Sequence, residues 1–197
     1  MKKSTIILLS VVGVIALIIF WSIGSYNSIV KMDESINGSW AQVENVYQRR
    51  ADLIPNLVSS VKGYAAHEKE TFQMVVEARA KATSITLSVD ALKDPQAFQK
   101  FQNSQGELSS ALTRLMAISE NYPDLKANEN FSQLQSQLEG TENRISVERK
   151  NFNSAVQSLN TKIKTFPSNI IAGFGGFTKR PYFEAETGAE NVPEVKF

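Results

Sequence analysis

"IVKMDESINGSWAQVENVYQRRADLIPNLVSSVKGY", residues 29–64, places an apolar side chain at nearly every seventh position. Ile29, Ile36, Val43, Leu57 and Tyr64 form one series, and Trp40, Tyr47, Ile54 and Val61 form a companion series four residues on. A heptad-like repeat of this kind is the mark of a helix that buries one stripe against other helices. Asn37-Gly38 followed by Ser39 and Gln42 is a break-and-recap signal. The stripe nevertheless keeps its phase across it, so one continuous helix is expected over about residues 27–65. Two residues disturb the pattern. Arg50 takes the missing step of the first series, and Pro55 falls inside the helix. A proline there removes one intrahelical hydrogen bond and crowds the carbonyl four residues back, at Ala51, a cost of about 3 kcal/mol unless the helix bends. A kink is therefore expected at Pro55, with Asn56 placed to satisfy freed backbone groups.

Toward the N-terminus, Ser4–Val30 is a run of 27 residues without a charge. Ile6–Ile23 within it holds 13 Ile, Leu, Val or Phe residues, which favours insertion by about 4–8 kcal/mol before other terms. About 20 such residues span a bilayer. Residues 4–26 are expected to be a transmembrane helix behind a short flank, residues 1–3. Ile6, Leu9, Val12, Ile15, Ile18 and Phe20 would face lipid, and Trp21 the headgroup belt. A cleaved signal peptide is the competing reading, but the apolar run is longer than a usual signal core, and only Ser22-Ile23-Gly24 resembles a cleavage site. Lys2-Lys3 precede the span, whereas Lys31 follows beside Asp33 and Glu34. That asymmetry favours a cytoplasmic N-terminus and an exported remainder, hence a single-pass membrane protein.

Toward the C-terminus, three more helices are expected. The first covers about residues 69–88, with Phe72, Val75, Val76, Ala82 and Ile85 as its stripe. Asp94-Pro95 is an N-cap with proline in the first turn, and it opens a helix buried through Phe98, Phe101, Leu108, Leu112 and Leu115 and halted before Pro123. Asn128 starts the last, with Phe131, Leu134, Leu138, Ile145, Phe152, Val156, Leu159 and Ile163, ended by Pro167. No sustained period-two run suggests a strand. The expected class is all-α: an N-terminal transmembrane helix followed by an elongated antiparallel up-down four-helix bundle over residues 27–166. Four such helices return the chain to the end where it started. Residues 167–197 would then be an irregular Gly/Pro/aromatic tail near the membrane, packed on the base of the bundle, disordered, or in contact with a partner or the headgroups. Phe174, Phe177, Lys179, Arg180, Tyr182 and Phe183 are its candidate contact residues.

In this antiparallel register, levels on the first and last helices sum to about 192–194, which sets Glu142 beside Arg50. A buried Arg50–Glu142 pair would fix the register of the two longest helices. Its alternative use is a ligand pocket around Arg50, Glu142 and Arg79.

Composition narrows the functional classes. The chain has 197 residues, with 21 Lys and Arg against 20 Asp and Glu, and a net charge of +1. That balance lacks the basic excess of a nucleic-acid binder. Cysteine is absent and His67 is the one histidine, so no thiolate or histidine-based metal or catalytic set can be assembled. "HEKE", residues 67–70, is the solvated first turn of a helix, where acids are favoured. No cofactor and no catalytic residues are expected.

Together these stretches resemble the LemA family of bacterial membrane proteins. The likeness rests on Tyr26-Asn27 after the anchor, "RRADLIPNLV" at 49–58, "VKGYAAHE" at 61–68 and "ENYPDLKANENFSQLQ" at 120–135. "ENRISVERKNFNSAVQSLNTKIKTFPSN" at 142–169 and "RPYFEAE" at 180–186 complete it, with Phe152 where the family has Tyr as often as Phe. The resemblance implies a transmembrane helix carrying a long helical bundle and a role in the cell envelope. It implies no defined reaction. The expected function is a scaffold or adaptor that self-associates or recruits an envelope protein; the alternative is a membrane-anchored sensor.

Overall fold

The computed structural model describes residues 3–65 and 67–184. Its helices are α1 (Lys3–Lys62), α2 (Lys69–Ser84), α3 (Pro95–Ser119), α4 (Pro123–Lys126), α5 (Glu129–Lys164) and α6 (Ser168–Phe174), with a 3-10 turn at Ala91–Lys93. No strand occurs among the described residues. Of the expected flank, residues 1 and 2 lie outside this set, as do tail residues 185–197.

The apolar run and the heptad stripe are one helix. α1 continues for 60 residues, about 90 Å at the usual rise, through Asn37-Gly38 and through Pro55. Both apolar series are buried, from Ile29 and Ile36 to Leu57 and Val61. Tyr64 is the exception, at 44% exposure, because α1 has already ended at Lys62. In α2 the helix stops at Ser84, short of residue 88, and Val76 points outward, while Phe72, Val75 and Ala82 face the core. The N-caps of α3 and α5 form as their residue types require. Asp94 accepts from Gln96 N at 2.9 Å, and Asn128 accepts from Phe131 N at 3.0 Å. Pro123 and Pro167 do more than stop helices: Pro123 is the first residue of a further short helix, α4, and Pro167 caps another, α6.

Direction follows from the pairs. Trp40 meets Phe152 and, ten residues further along α1, Arg50 meets Glu142, ten residues back along α5. These two helices therefore run antiparallel. α2 and α3 are antiparallel by the same reasoning: Arg114 touches Met74 and Lys81 bonds Glu107.

The core has two parts. One contains Ile29, Ile36, Trp40, Val43 and Tyr47 of α1 with Phe98, Phe101, Phe152 and Phe183. The other contains Ile54, Leu57 and Val61 with Phe72, Val75, Leu108, Leu112, Leu115, Leu125, Phe131 and Leu138. Buried polar side chains lie between them: Arg50, Ser104, Gln105 and Thr141.

Candidate functional site

Arg50 is 1% exposed, although the heptad reserves its place for an apolar side chain. Burial of a guanidinium is tolerable only if its donors are satisfied. Nη1 donates to Ser109 Oγ at 2.9 Å and to Glu142 Oε1 at 3.0 Å. Nη2 donates to Gln105 Oε1 at 2.5 Å and, more weakly, to the Gln105 carbonyl at 3.4 Å. The guanidinium carbon also stands 5.0 Å from the centre of the Tyr47 ring, within cation–π range. Only Nε lacks a hydrogen-bond partner. Gln105 passes the connection on, since its Nε2 donates to the Ala82 carbonyl at 3.2 Å at the end of α2. One residue thus ties α1 to α3 and α5 directly, and to α2 through Gln105.

Glu142 differs from the sequence expectation. The pair is in contact, but the Glu142 side chain is 40% exposed, so the enclosed charge belongs to Arg50 alone. Beside the pair lies a polar cavity of about 120 Å³, lined by Arg50, Gln105, Ser109, Glu142, Ser146 and Arg149 among others.

Arg79 does not line this cavity. Its role answers what a proline is doing at position 55. Pro55 has no N–H, so the carbonyl of Ala51 loses its partner within the helix. Arg79 Nε, from α2, donates to that oxygen at 2.8 Å. Ala51 is 3% exposed, and an unpartnered carbonyl there would be costly. Asn56, expected to do this, is exposed. The proline opens a backbone acceptor that a second helix then fills, converting a local defect into an interhelical contact.

The sequence leaves the C-terminal segment either packed on the base of the bundle or free for contact, and the segment divides between the two. Arg180 and Phe183 are core residues, 3% and 6% exposed. Arg180 donates to Asp33 Oδ1 from Nη2 at 2.7 Å and Nε at 3.2 Å, and from Nη1 to the Val89 carbonyl at 3.2 Å. Phe183 inserts among Trp40, Phe98 and Phe152, with ring centroids 4.8–6.2 Å away. Three amide side chains hold this segment by its main chain. Asn160 brackets Arg180, accepting from its N and donating to its O, both at 2.9 Å. Asn153 does the same for Phe183 at 2.9 and 3.0 Å, and Gln102 for Glu184 at 3.3 and 3.0 Å. None of these three amides was visible as functional in the sequence, because an Asn or Gln off the apolar stripe reads as solvated. Phe177 is half-buried against Tyr26, with an edge-on ring contact at 5.6 Å. Gly175 permits that approach, since a Cβ there would fall 2.6 Å from the Phe177 ring. Phe174, Lys179 and Tyr182 are exposed.

Of the span residues, Ile6, Leu9, Val12, Ile15, Ile18, Phe20 and Trp21 are 43–76% exposed, and the segment is long and apolar enough to cross a membrane. His67 is exposed. Among the described residues no group of three or more acidic or histidine side chains gathers as a metal site would require.

Residues 39–197 match the LemA family. Magnetosome protein MamQ 2 of Paramagnetospirillum magneticum is 28% identical over 203 residues, covering 95% of this chain and 73% of that protein. Magnetosome protein MamQ of Magnetospirillum gryphiswaldense is 27% identical over 213 residues, 99% and 78% of the two chains. Protein LemA of Metamycoplasma hominis is 25% identical over 158 residues, 80% and 68%. The family match takes in Arg50, Pro55, Arg79, Glu142 and the segment that carries Arg180 and Phe183, so the chain belongs to the LemA family.

Proposed function

We propose that the protein is a membrane-anchored scaffold or adaptor of the bacterial envelope, a single-pass inner-membrane protein whose helical body stands on the extracytoplasmic side. In this reading α1, α2, α3 and α5 form an elongated antiparallel four-helix bundle. The role is non-enzymatic, and the bundle faces serve self-association or recruitment of an envelope protein. The observation that carries the reading is the continuity of α1. The same helix holds an exposed apolar segment from Ile6 to Ile23 and the buried stripe from Ile29 to Val61, with no flexible joint between them. A body joined to its anchor in this way keeps a set height and attitude over the bilayer, which suits a platform for assembly.

Light scattering and native mass measurement of the full chain in mild detergent test the proposal. Discrete homo-oligomers, or a stable complex with an envelope protein, are expected. A second reading, a sensor, is favoured by the polar cavity beside Arg50 and its unpartnered Nε. A chain that stays monomeric at every concentration, and whose melting point rises with a small anionic molecule, would replace the scaffold with the sensor.

A further inference from the structure

The apolar segment of α1 ends where side chains become buried: Ile23 is 54% exposed, Ser25 6% and Ile29 0%. α6 docks at this level. Ser25 Oγ donates to Ser168 Oγ at 3.3 Å, and Tyr26 meets Phe177 just beyond α6. Ser168 and Ala172 form the buried face of α6. The other side carries a row spaced four apart: Phe166, just ahead of the helix, is 76% exposed, Ile170 48% and Phe174 90%. Three large apolar side chains lined up on a surface of a folded body signal a contact.

Charge around this row is one-sided. From Arg149 to Phe183 the chain has six Lys and Arg and no Asp or Glu, against near-balance overall. Arg180 is occupied by Asp33, and Arg149 lies over Phe183 and donates to the Glu184 carbonyl. Lys162, Lys164 and Lys179 flank the row and form no ion pair among the described residues.

We propose that Phe166 and α6 are a second membrane contact. Phe166, Ile170 and Phe174 seat in the boundary between headgroups and acyl chains of the bilayer crossed by residues 4–26, while the three lysines lie against anionic headgroups. The inference rests on reading residues 4–26 as an anchor. Short amphipathic elements bury about 5–10 Å into that boundary, and basic residues near an anionic leaflet strengthen the attachment. A single wedge of this size would bind weakly alone. Tethered beside a span, it is held at high effective concentration. Its consequence is rotational: one span leaves the body free to turn about its axis, and a second contact to one side stops it.

The natural chain has no cysteine, so single-cysteine variants of the full protein take one nitroxide label each. Four positions suffice: Ile170→Cys and Phe174→Cys in the row, Ile15→Cys in the span, and His67→Cys at the far end. Phe174 is 90% exposed, so its replacement spares the fold. In vesicles of phosphatidylcholine with phosphatidylglycerol, labels at 170 and 174 should collide more with oxygen than with a water-soluble nickel chelate, as at 15 and opposite to 67. Removing phosphatidylglycerol should move both toward water. Labels at 170 and 174 that match 67, with 15 still in lipid, overturn the wedge and leave the anchor standing. A label at 15 in water overturns both. Labels at 170 and 174 shielded from both reagents mean that protein, such as a second copy, covers the row, and that too overturns the proposal.

Discussion

The two parts of the core are built from different materials. The part nearer the apolar segment is rich in aromatics, with Trp40, Tyr47, Phe98, Phe101, Phe152 and Phe183 linked by ring contacts among aliphatic side chains. The far part is mainly aliphatic, with Leu57, Leu108, Leu112, Leu115, Leu125 and Leu138. They are also closed differently. Helices and short links complete the aliphatic part, whereas the aromatic part needs Phe183, delivered by an irregular segment that three amides hold in place. Aromatic rings pack with directional preferences, so a ring brought in from outside the helices must be set at a fixed depth. The amide brackets set that depth. Arg50 and Gln105 form the boundary between the parts.

The comparison can be broken most forcefully at Phe152, which is fully buried against Trp40, Phe98 and Phe183. Phe152→Ala should cost about 3–5 kcal/mol, measured by chemical unfolding of the full chain in detergent. Hydrogen exchange in that variant should rise more in residues 29–47 than in 54–61. An equal rise in both stretches would show a single undivided core.

A smaller effect is expected at Arg79. Arg79→Ala strands the Ala51 carbonyl and should cost about 1–3 kcal/mol. In a Pro55→Ala background the N–H at position 55 returns to that carbonyl, and the same change should then cost clearly less. Equal costs in the two backgrounds would mean that Arg79 acts through something other than the proline's orphaned acceptor.

The amide brackets come next. Asn153→Ala and Asn160→Ala should each cost about 1 kcal/mol or somewhat more, loosening the aromatic part without altering exchange in the far part. Least of all, His67→Ala should stay within about 0.5 kcal/mol of the parent, because the side chain is exposed. A large loss there would reveal a role absent from this account.

How much of this was legible in the sequence depended on periodicity. On α1 the heptad defined which positions must be apolar, so Arg50 stood out as a charge in a reserved slot, and antiparallel counting found Glu142 across from it. The partners Gln105 and Ser109 were missed because register between the first and third helices is not set by counting from shared ends. Arg180 is buried almost as deeply as Arg50, at 3% against 1%, yet in the sequence it is only a candidate contact with a partner or with headgroups. Nothing periodic surrounds it, and in an irregular segment Lys179 and Arg180 look alike. Phe174 and Phe183 were likewise indistinguishable as aromatics between glycines and prolines, though one is 90% exposed and the other 6%. Pro55 was legible as an interruption, while the donor that compensates it comes from another helix, beyond the reach of a local reading.

The central claim is that Arg50 is a structural pin: a desolvated charge held by Glu142 and its neighbours, marking where one part of the core ends and the next begins. A double-mutant cycle on the full chain in detergent tests it most directly. Arg50→Ala should cost about 3–5 kcal/mol, and Glu142→Ala about 1–3, the smaller figure because its carboxylate is 40% exposed. The double variant should cost less than their sum by about 1 kcal/mol or more, since neither charge is then left alone. Additive losses, or an Arg50→Ala variant as stable as the parent, would contradict the claim and return Arg50 to the role of a residue waiting for a ligand.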